Sequence, residues 1–415
     1  MAYDGTAPQI TLISYAQKGR TFFVAFLFLV IFAEGIRLGG IPIPSSLPLC
    51  ALYVAIYNPR IPTDIGAITA GAFLCILLIG TRNALALTGG MKDFLYVGIV
   101  AESFLVTICL IDAMTAMSVA DIRKILLVFV CAELFLQILE YLSPIYFDSM
   151  IRGLLTYWDQ IDNSSYGAAG DYGLRVPGSF GSPTTAGFAT YFLIRSLAVI
   201  TRRRWIIFVT ILPLVICGAR TAFIIFLLWE IIVPVFNSKY RKVGLYLLLV
   251  VGVAVAAAIL FYPEFFKQIF VIDTFIQLYN TNTFTTTASI FNRLYGAQYA
   301  LSRPLSQWII GGMTAQEMAA FTTNVFSFDS ELIQRSMQYG LIGYASFLAI
   351  NLCAGYDRKN WDWWFSVALV AVGSLTNAVA TNVILFPFLI LYNVCLRRIR
   401  AVDEDLVPGQ YVPRS

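Results

Sequence analysis

The chain contains no histidine, and only 13% of its 415 residues are charged. The first absence removes histidine general bases, histidine-assisted nucleophiles and histidine-ligated metals together. The second excludes the ordinary soluble domain, in which roughly a quarter of residues carry charge. All seven cysteines, Cys50, Cys75, Cys109, Cys131, Cys217, Cys353 and Cys395, fall in or beside apolar runs without CxxC spacing. Neither a disulfide framework nor a thiolate metal site is expected from that placement. A GxxxxGK[ST] phosphate loop and a GxGxxG fingerprint are also missing, which excludes a nucleotide-driven motor. No cofactor and no metal are expected. A cleavable leader is not expected either, because the first apolar run lacks a short hydrophobic region followed by a small-residue cleavage site.

What the chain has instead is apolar length. Hydrophobic residues make up 59% of it and the mean hydropathy is +0.76. A bilayer core takes about 20 apolar residues per helix, and about twelve runs approach that requirement: 21–37, 46–58, 64–80, 94–114, 124–143, 182–200, 205–218, 220–236, 243–262, 335–355, 363–378 and 380–396. The expected fold is an all-α polytopic transmembrane bundle forming a single integral membrane domain over 1–415. Lys and Arg are retained on the cytoplasmic side of a membrane. Lys18, Arg20, Arg60, Arg123, Lys124, Arg202, Arg203, Arg204, Lys239, Arg241, Lys242, Arg358, Lys359, Arg397, Arg398 and Arg400 crowd alternate turns. Both termini are therefore expected in the cytoplasm, with 144–182 and 263–334 as long outward loops and 397–415 as a cytoplasmic tail. The net charge of +4 follows from this asymmetry and calls for no nucleic acid.

The outward segments hold the candidate chemistry. Arg175 lies in Leu174-Arg175-Val176-Pro177-Gly178-Ser179-Phe180-Gly181-Ser182-Pro183, where Gly and Pro permit sharp turns. Arg220 lies in the tight turn Cys217-Gly218-Ala219-Arg220-Thr221 between two apolar runs. A cation held at that boundary either pairs with a phosphate or carboxylate or snorkels to lipid headgroups. Arg293 belongs to Phe291–Ala300, where Phe291, Leu294, Tyr295 and Gln298 have the spacing of an amphipathic interfacial helix. That arginine contacts either headgroups or a ligand. Together the three guanidinium groups suit a diphosphate, since each binds phosphate oxygens bidentately and keeps its proton.

Asp329 and Glu331 close the second loop. They can accept a proton, and Asp329-Ser330 also reads as the cap of the next helix. Aromatic residues such as Tyr157, Trp158 and Trp308 either stack on sugar rings or form interfacial belts. Glu34, Glu102, Asp112, Glu133, Glu140 and Glu230 lie inside apolar runs, where a proton-coupled transporter or flippase would use them. Their scatter, and the lack of matching broken helices in the two halves, weigh against that reading.

The Arg175 segment, the Gly218-Ala219-Arg220-Thr221 turn, Asn292-Arg293, Ile309-Ile310-Gly311-Gly312 and Phe328-Asp329-Ser330 followed by Gly340-x-x-Gly343 resemble the group of Wzy polymerases and O-antigen ligases. The resemblance covers about residues 170–345. It implies a GT-C-like helical membrane enzyme that moves lipid-linked glycans in the periplasm, in the bacterial inner membrane, with lipid-linked oligosaccharide as substrate and a flippase and chain-length regulator as partners. Ligases of the group have a His-[Asn/Ser/Gln] pair, nine residues, then Gly-x-x-[Gly/Thr/Tyr]. Here the spacing is kept while Asp329 stands at the histidine position, a departure that favours the polymerase branch. In that branch the resemblance implies Asp329 as the base, with Glu331 as the alternative, and Arg175, Arg220 and Arg293 as the diphosphate-binding set.

Overall fold

The computed structural model describes residues 7–32, 37–38, 41–42, 46–60, 63–85, 91–142, 180, 183–237, 242, 250, 252–253, 298–313, 330–376 and 385–406. Helices dominate these segments. In chain order they are α1 (Ala7–Phe32), α2 (Ser46–Tyr57), α3 (Thr63–Leu85), α4 (Met91–Ala116), α5 (Val119–Leu142) and α6 (Pro183–Thr201). A 3-10 stretch (Arg204–Thr210) then runs into α7 (Ile211–Ile216). After it come α8 (Arg220–Phe226), a π-helical stretch (Leu227–Ile232), α9 (Val233–Asn237), α10 (Leu305–Ile310), α11 (Glu331–Cys353), α12 (Trp361–Thr376) and α13 (Leu385–Leu406). Between α1 and α2, β1 (Arg37–Leu38) and β2 (Ile41–Pro42) pair antiparallel.

Three stretches among the described residues are long and apolar enough to cross a membrane: Ile65–Arg82 in α3, Val119–Leu142 in α5 and Thr184–Thr201 in α6. Outward-facing Leu74, Leu78, Val128 and Phe135 are exposed on α3 and α5, the arrangement a lipid-facing helix adopts. The first helix differs from its expected start, beginning at Ala7 and not near residue 21. Its extra turns carry Arg20, which reaches Asp112 of α4 at 3.2 Å and Tyr53 of α2 at 3.3 Å. The expected run at 243–262 lies almost entirely outside the described residues.

Local signals set the ends. Ser118 and Asp121 form a reciprocal cap ahead of α5, with the Asp121 amide on Ser118 Oγ at 3.1 Å and that hydroxyl on Asp121 Oδ2 at 2.7 Å. Asn58 stops α2 with a left-handed φ of 44°, and Pro59 follows it, as helix ends favour. The π-helical stretch precedes Pro234, whose ring would strike the Glu230 carbonyl of a regular helix. Widening the turn relieves that collision.

α6 sits at the centre. Phe188, Tyr191, Phe192, Ile194 and Leu197 are all buried, so it is covered on every side. It packs on α5, α13 and α8, while α11 packs on α3 and α10. Gly187 gives α6 its closest approach: a Cβ there would lie 2.3 Å from the Ala219 Cβ. Small residues permit such contacts between helices in lipid.

Candidate functional site

α11 is two helices in one. At Gly340 the backbone leaves helical geometry, with φ 75° and ψ 168°, a region open almost only to glycine. The run expected to start at Arg335 thus begins at Glu331 and breaks at Gly340. The half before the break is polar and buried, with Ser330, Glu331, Arg335, Ser336 and Gln338 all shielded. The half after it, from Leu341, is apolar. Arg335, the first residue of that expected run, is in the interior, where its Nη1 donates to Gln338 Oε1 at 2.7 Å.

The break is wedged by a second glycine turn. Gly311, after α10, has φ 74° and ψ −165°. A Cβ on Gly311 would lie 2.3 Å from the Gln338 carbonyl oxygen, and one on Gly340 would lie 2.1 Å from that of Ile309. The two backbones therefore touch directly. The Gly312 and Met313 amides both donate to the Met337 carbonyl at 3.1 Å. They take up an acceptor that the break would otherwise strand. Arg82 at the end of α3 donates to the Ile310 carbonyl at 2.8 Å. Ala300, Met313 and Met337 form a small core beneath, joined by Tyr299, Trp308 and Ile333. Trp308 is half-buried there with Nε1 on the Ala300 carbonyl at 2.9 Å, so it is part of the packing and not an open sugar platform.

At the head of α11 the cap position falls to Ser330, whose hydroxyl turns away from the first turn and donates to the Ser374 carbonyl at 3.1 Å. Tyr344 donates to Ser374 Oγ at 2.6 Å, and Ser374 donates to Glu331 Oε2 at 3.1 Å. The Glu331 carboxylate therefore terminates a relay of hydroxyls from α12 and from the second half of α11. Arg335 stands one turn further along the same helix. An acid and a guanidinium held in a shielded helix segment can manage proton and phosphate chemistry.

Of the sequence-predicted set, Glu331 is in this cluster. Arg220 is the first residue of α8, placed by the Gly218 turn with φ 61° and by the Gly187–Ala219 contact; its side chain lies outside the described residues. Arg175, Arg293 and Asp329 also lie outside them. Among the described residues the acids of the apolar runs have separate partners. Asp112 accepts from Tyr53 at 2.6 Å, Glu102 meets Ser46, and Glu133 accepts from Gln137 at 2.8 Å, which also donates to Thr190 at 2.9 Å. Glu140 is buried on α5, and Glu34 falls outside the described residues.

A second cluster escaped the sequence reading. Arg195, in the middle of α6, is buried between Glu230 of the π-helical stretch, which its Nη1 meets, and Asp362 of α12, with Nη2 on Oδ1 at 2.8 Å. Its Nε donates to Tyr392 at 2.9 Å and its guanidinium lies 3.5 Å from the Phe365 ring centre. Tyr191 donates to Glu230 at 3.2 Å. The signal was there: an arginine amid Tyr191-Phe192-Leu193-Ile194 and Leu197 must be paired inside the bundle.

No protein-family model, curated protein or solved structure matches this chain.

Proposed function

We propose that the chain is a polysaccharide polymerase of the Wzy kind, within the O-antigen ligase–polymerase group. It joins undecaprenyl-diphosphate-linked oligosaccharide repeat units on the periplasmic face of the bacterial inner membrane, by metal-independent glycosyl transfer. In this reading about twelve helices span the membrane, both termini are cytoplasmic, and 144–182 and 263–334 fold over the outer face.

One observation supports it above the rest. The Ile309–Gly312 and Gly340–Gly343 motifs, distant in sequence, close on each other around the buried polar half of α11 that carries Glu331 and Arg335. In the chain that half follows directly on Asp329. The transfer breaks the bond between the donor's anomeric carbon and the lipid diphosphate and forms one to an acceptor sugar hydroxyl. The leaving diphosphate gains negative charge, which Arg175, Arg220 and Arg293 stabilise. The hydroxyl proton goes to Asp329. Glu331, buried and already accepting from Ser374, serves better to hold the head of α11 than to reach a sugar.

The test is reconstitution of the purified protein with undecaprenyl-diphosphate oligosaccharide, reading product length. Long chains are expected, and Arg220→Ala and Arg293→Ala should lose them while inserting normally. Asp329→Asn keeps the size and polarity of the side chain but cannot take a proton, so it should lose elongation too. Normal elongation by both arginine variants would refute the mechanism. A single transfer per acceptor would indicate a ligase, and no product would turn attention to transport.

A further inference from the structure

Glu102 stands apart among the described buried acids. It lies in the middle of α4, fully buried. Its Oε1 takes the Ser46 amide at 3.2 Å and is in close contact with Ser46 Oγ at the start of α2. Among the described residues its buried Oε2 has no hydrogen-bond partner, and neither does Oγ of the adjacent Ser103. The other acids differ: Asp112 has Arg20, and Glu230 has Arg195.

Among the described side chains, the basic groups on the helices packed against α4 are engaged elsewhere or lie away from Glu102. α2 has none. On α1, Arg20 is paired with Asp112, ten residues along α4 and about 15 Å away by helical rise, and Lys18 lies half a turn before it. On α3, Arg82 bonds the Ile310 carbonyl, and on α11, Arg335 bonds Gln338. On α13, Arg398 bonds the Met117 carbonyl and Arg400 the Tyr356 carbonyl, with Arg397 beside them. That group is at the far end of α4, about 20 Å from Glu102. Of the acids on these helices, Glu331 accepts from Ser374 and Asp403 pairs with Arg202. Among the described side chains, the titratable groups nearest along α2 and α4 are the thiols Cys50 and Cys109, the latter donating to the Cys50 carbonyl at 3.6 Å.

An ionised carboxylate spreads its charge over both oxygens. Here one of them would be a buried charged acceptor with no hydrogen-bond donor among the described residues, a costly way to bury a polar atom. The head of α2 does favour an anion through its amide and dipole. It serves only Oε1, however. A neutral acid meets the same contacts at lower cost: its hydroxyl donates to Ser46 Oγ, the Ser46 amide still donates to that oxygen, and only an uncharged carbonyl is left alone.

We propose that Glu102 is a proton-binding site, a neutral carboxylic acid at neutral pH that ties the head of α2 to the middle of α4 through Ser46. The site is independent of the glycan-transfer reading. The decisive measurement is infrared spectroscopy of the full chain in lipid at neutral pH. Wild type minus Glu102→Gln should contain the C=O band of a protonated carboxyl, above the amide I envelope. Ser46→Ala should move that band to higher frequency, because the carboxyl loses its hydrogen-bond partner. Glu102→Gln should keep the thermal transition near that of wild type. A difference spectrum with no such band, carrying carboxylate stretches in its place, overturns the proposal. If Glu102→Gln does not fold, Ser46→Ala decides alone: a shift confined to the carboxylate stretches means an ionised Glu102.

Discussion

Arg195 is the strongest test of how this bundle handles buried charge. Its side chain is 2% exposed, against 12% for Glu230 and 22% for Asp362, and two carboxylates share one guanidinium. In Arg195→Met the nearly buried Glu230 is left without its cation, a loss of about 3–5 kcal/mol. The ring contact at 3.5 Å to Phe365 adds about 1 kcal/mol at a desolvated site. Asp362 reaches water and adds little. The expected total is about 4–6 kcal/mol. Arg195→Lys keeps the charge and gives up one arm of the fork, about 2 kcal/mol for a charged hydrogen bond. Removing the acid as well, in Arg195→Met with Glu230→Leu, should recover most of the loss, since apolar replacement of a buried pair is often neutral. Sodium dodecyl sulfate titration in mixed micelles reads all three. The Trp229–Trp361 stack, 4.5 Å between ring centres beside the cluster, supplies the fluorescence signal. Arg195→Met within about 1 kcal/mol of wild type, or a double variant no better than the single, would refute this account.

Other outcomes follow from close contacts. Gly340→Ala should lose about 3 kcal/mol, from its glycine-only backbone and the 2.1 Å approach to the Ile309 carbonyl. Gly71→Ala on α3, where a Cβ meets nothing within 4 Å, should instead gain about 0.5–1 kcal/mol from helix propensity; thermal unfolding of the two side by side checks the contrast. Gly187→Ala should cost about 2 kcal/mol by driving a methyl into Ala219, and adding Ala219→Gly to the same chain should restore stability by returning the space. Ser118→Ala should cost about 1 kcal/mol through the lost cap of α5, seen as a lower unfolding midpoint.

The helices were legible wherever an apolar run carried its own punctuation. The run expected at 124–143 is α5, which begins five residues earlier at Val119, where the Ser118 and Asp121 pair caps it. The start of α1 was not legible, because Gln17, Lys18 and Arg20 look like a polar lead-in until Asp112 and Tyr53, on two other helices, provide Arg20 with partners. The glycines at 311 and 340 could each be singled out as motifs. That they press against each other depends on α10 folding back over α11, which no local pattern encodes. The polar half of α11 was not legible for the same reason: the expected run opens only at Arg335, after a polar stretch, and only packing buries that arginine beside Gln338. Arg195 was within reach of sequence reasoning, since a charge amid aromatics and leucines always implies partners, though not which ones.

The Gly340 break also insulates the two parts of α11 from one another. In an unbroken helix, one inserted residue turns everything beyond it by about 100°, so the polar segment and the apolar segment could not change register separately. With the chain leaving helical geometry at Gly340 and held there by Gly311, an insertion or deletion between Glu331 and Tyr339 rotates the acid and guanidinium about the axis while Leu341 to Cys353 keeps its orientation. The polar segment can thus be re-aimed by changes in length as well as by substitution, without turning the apolar segment from Leu341 to Cys353.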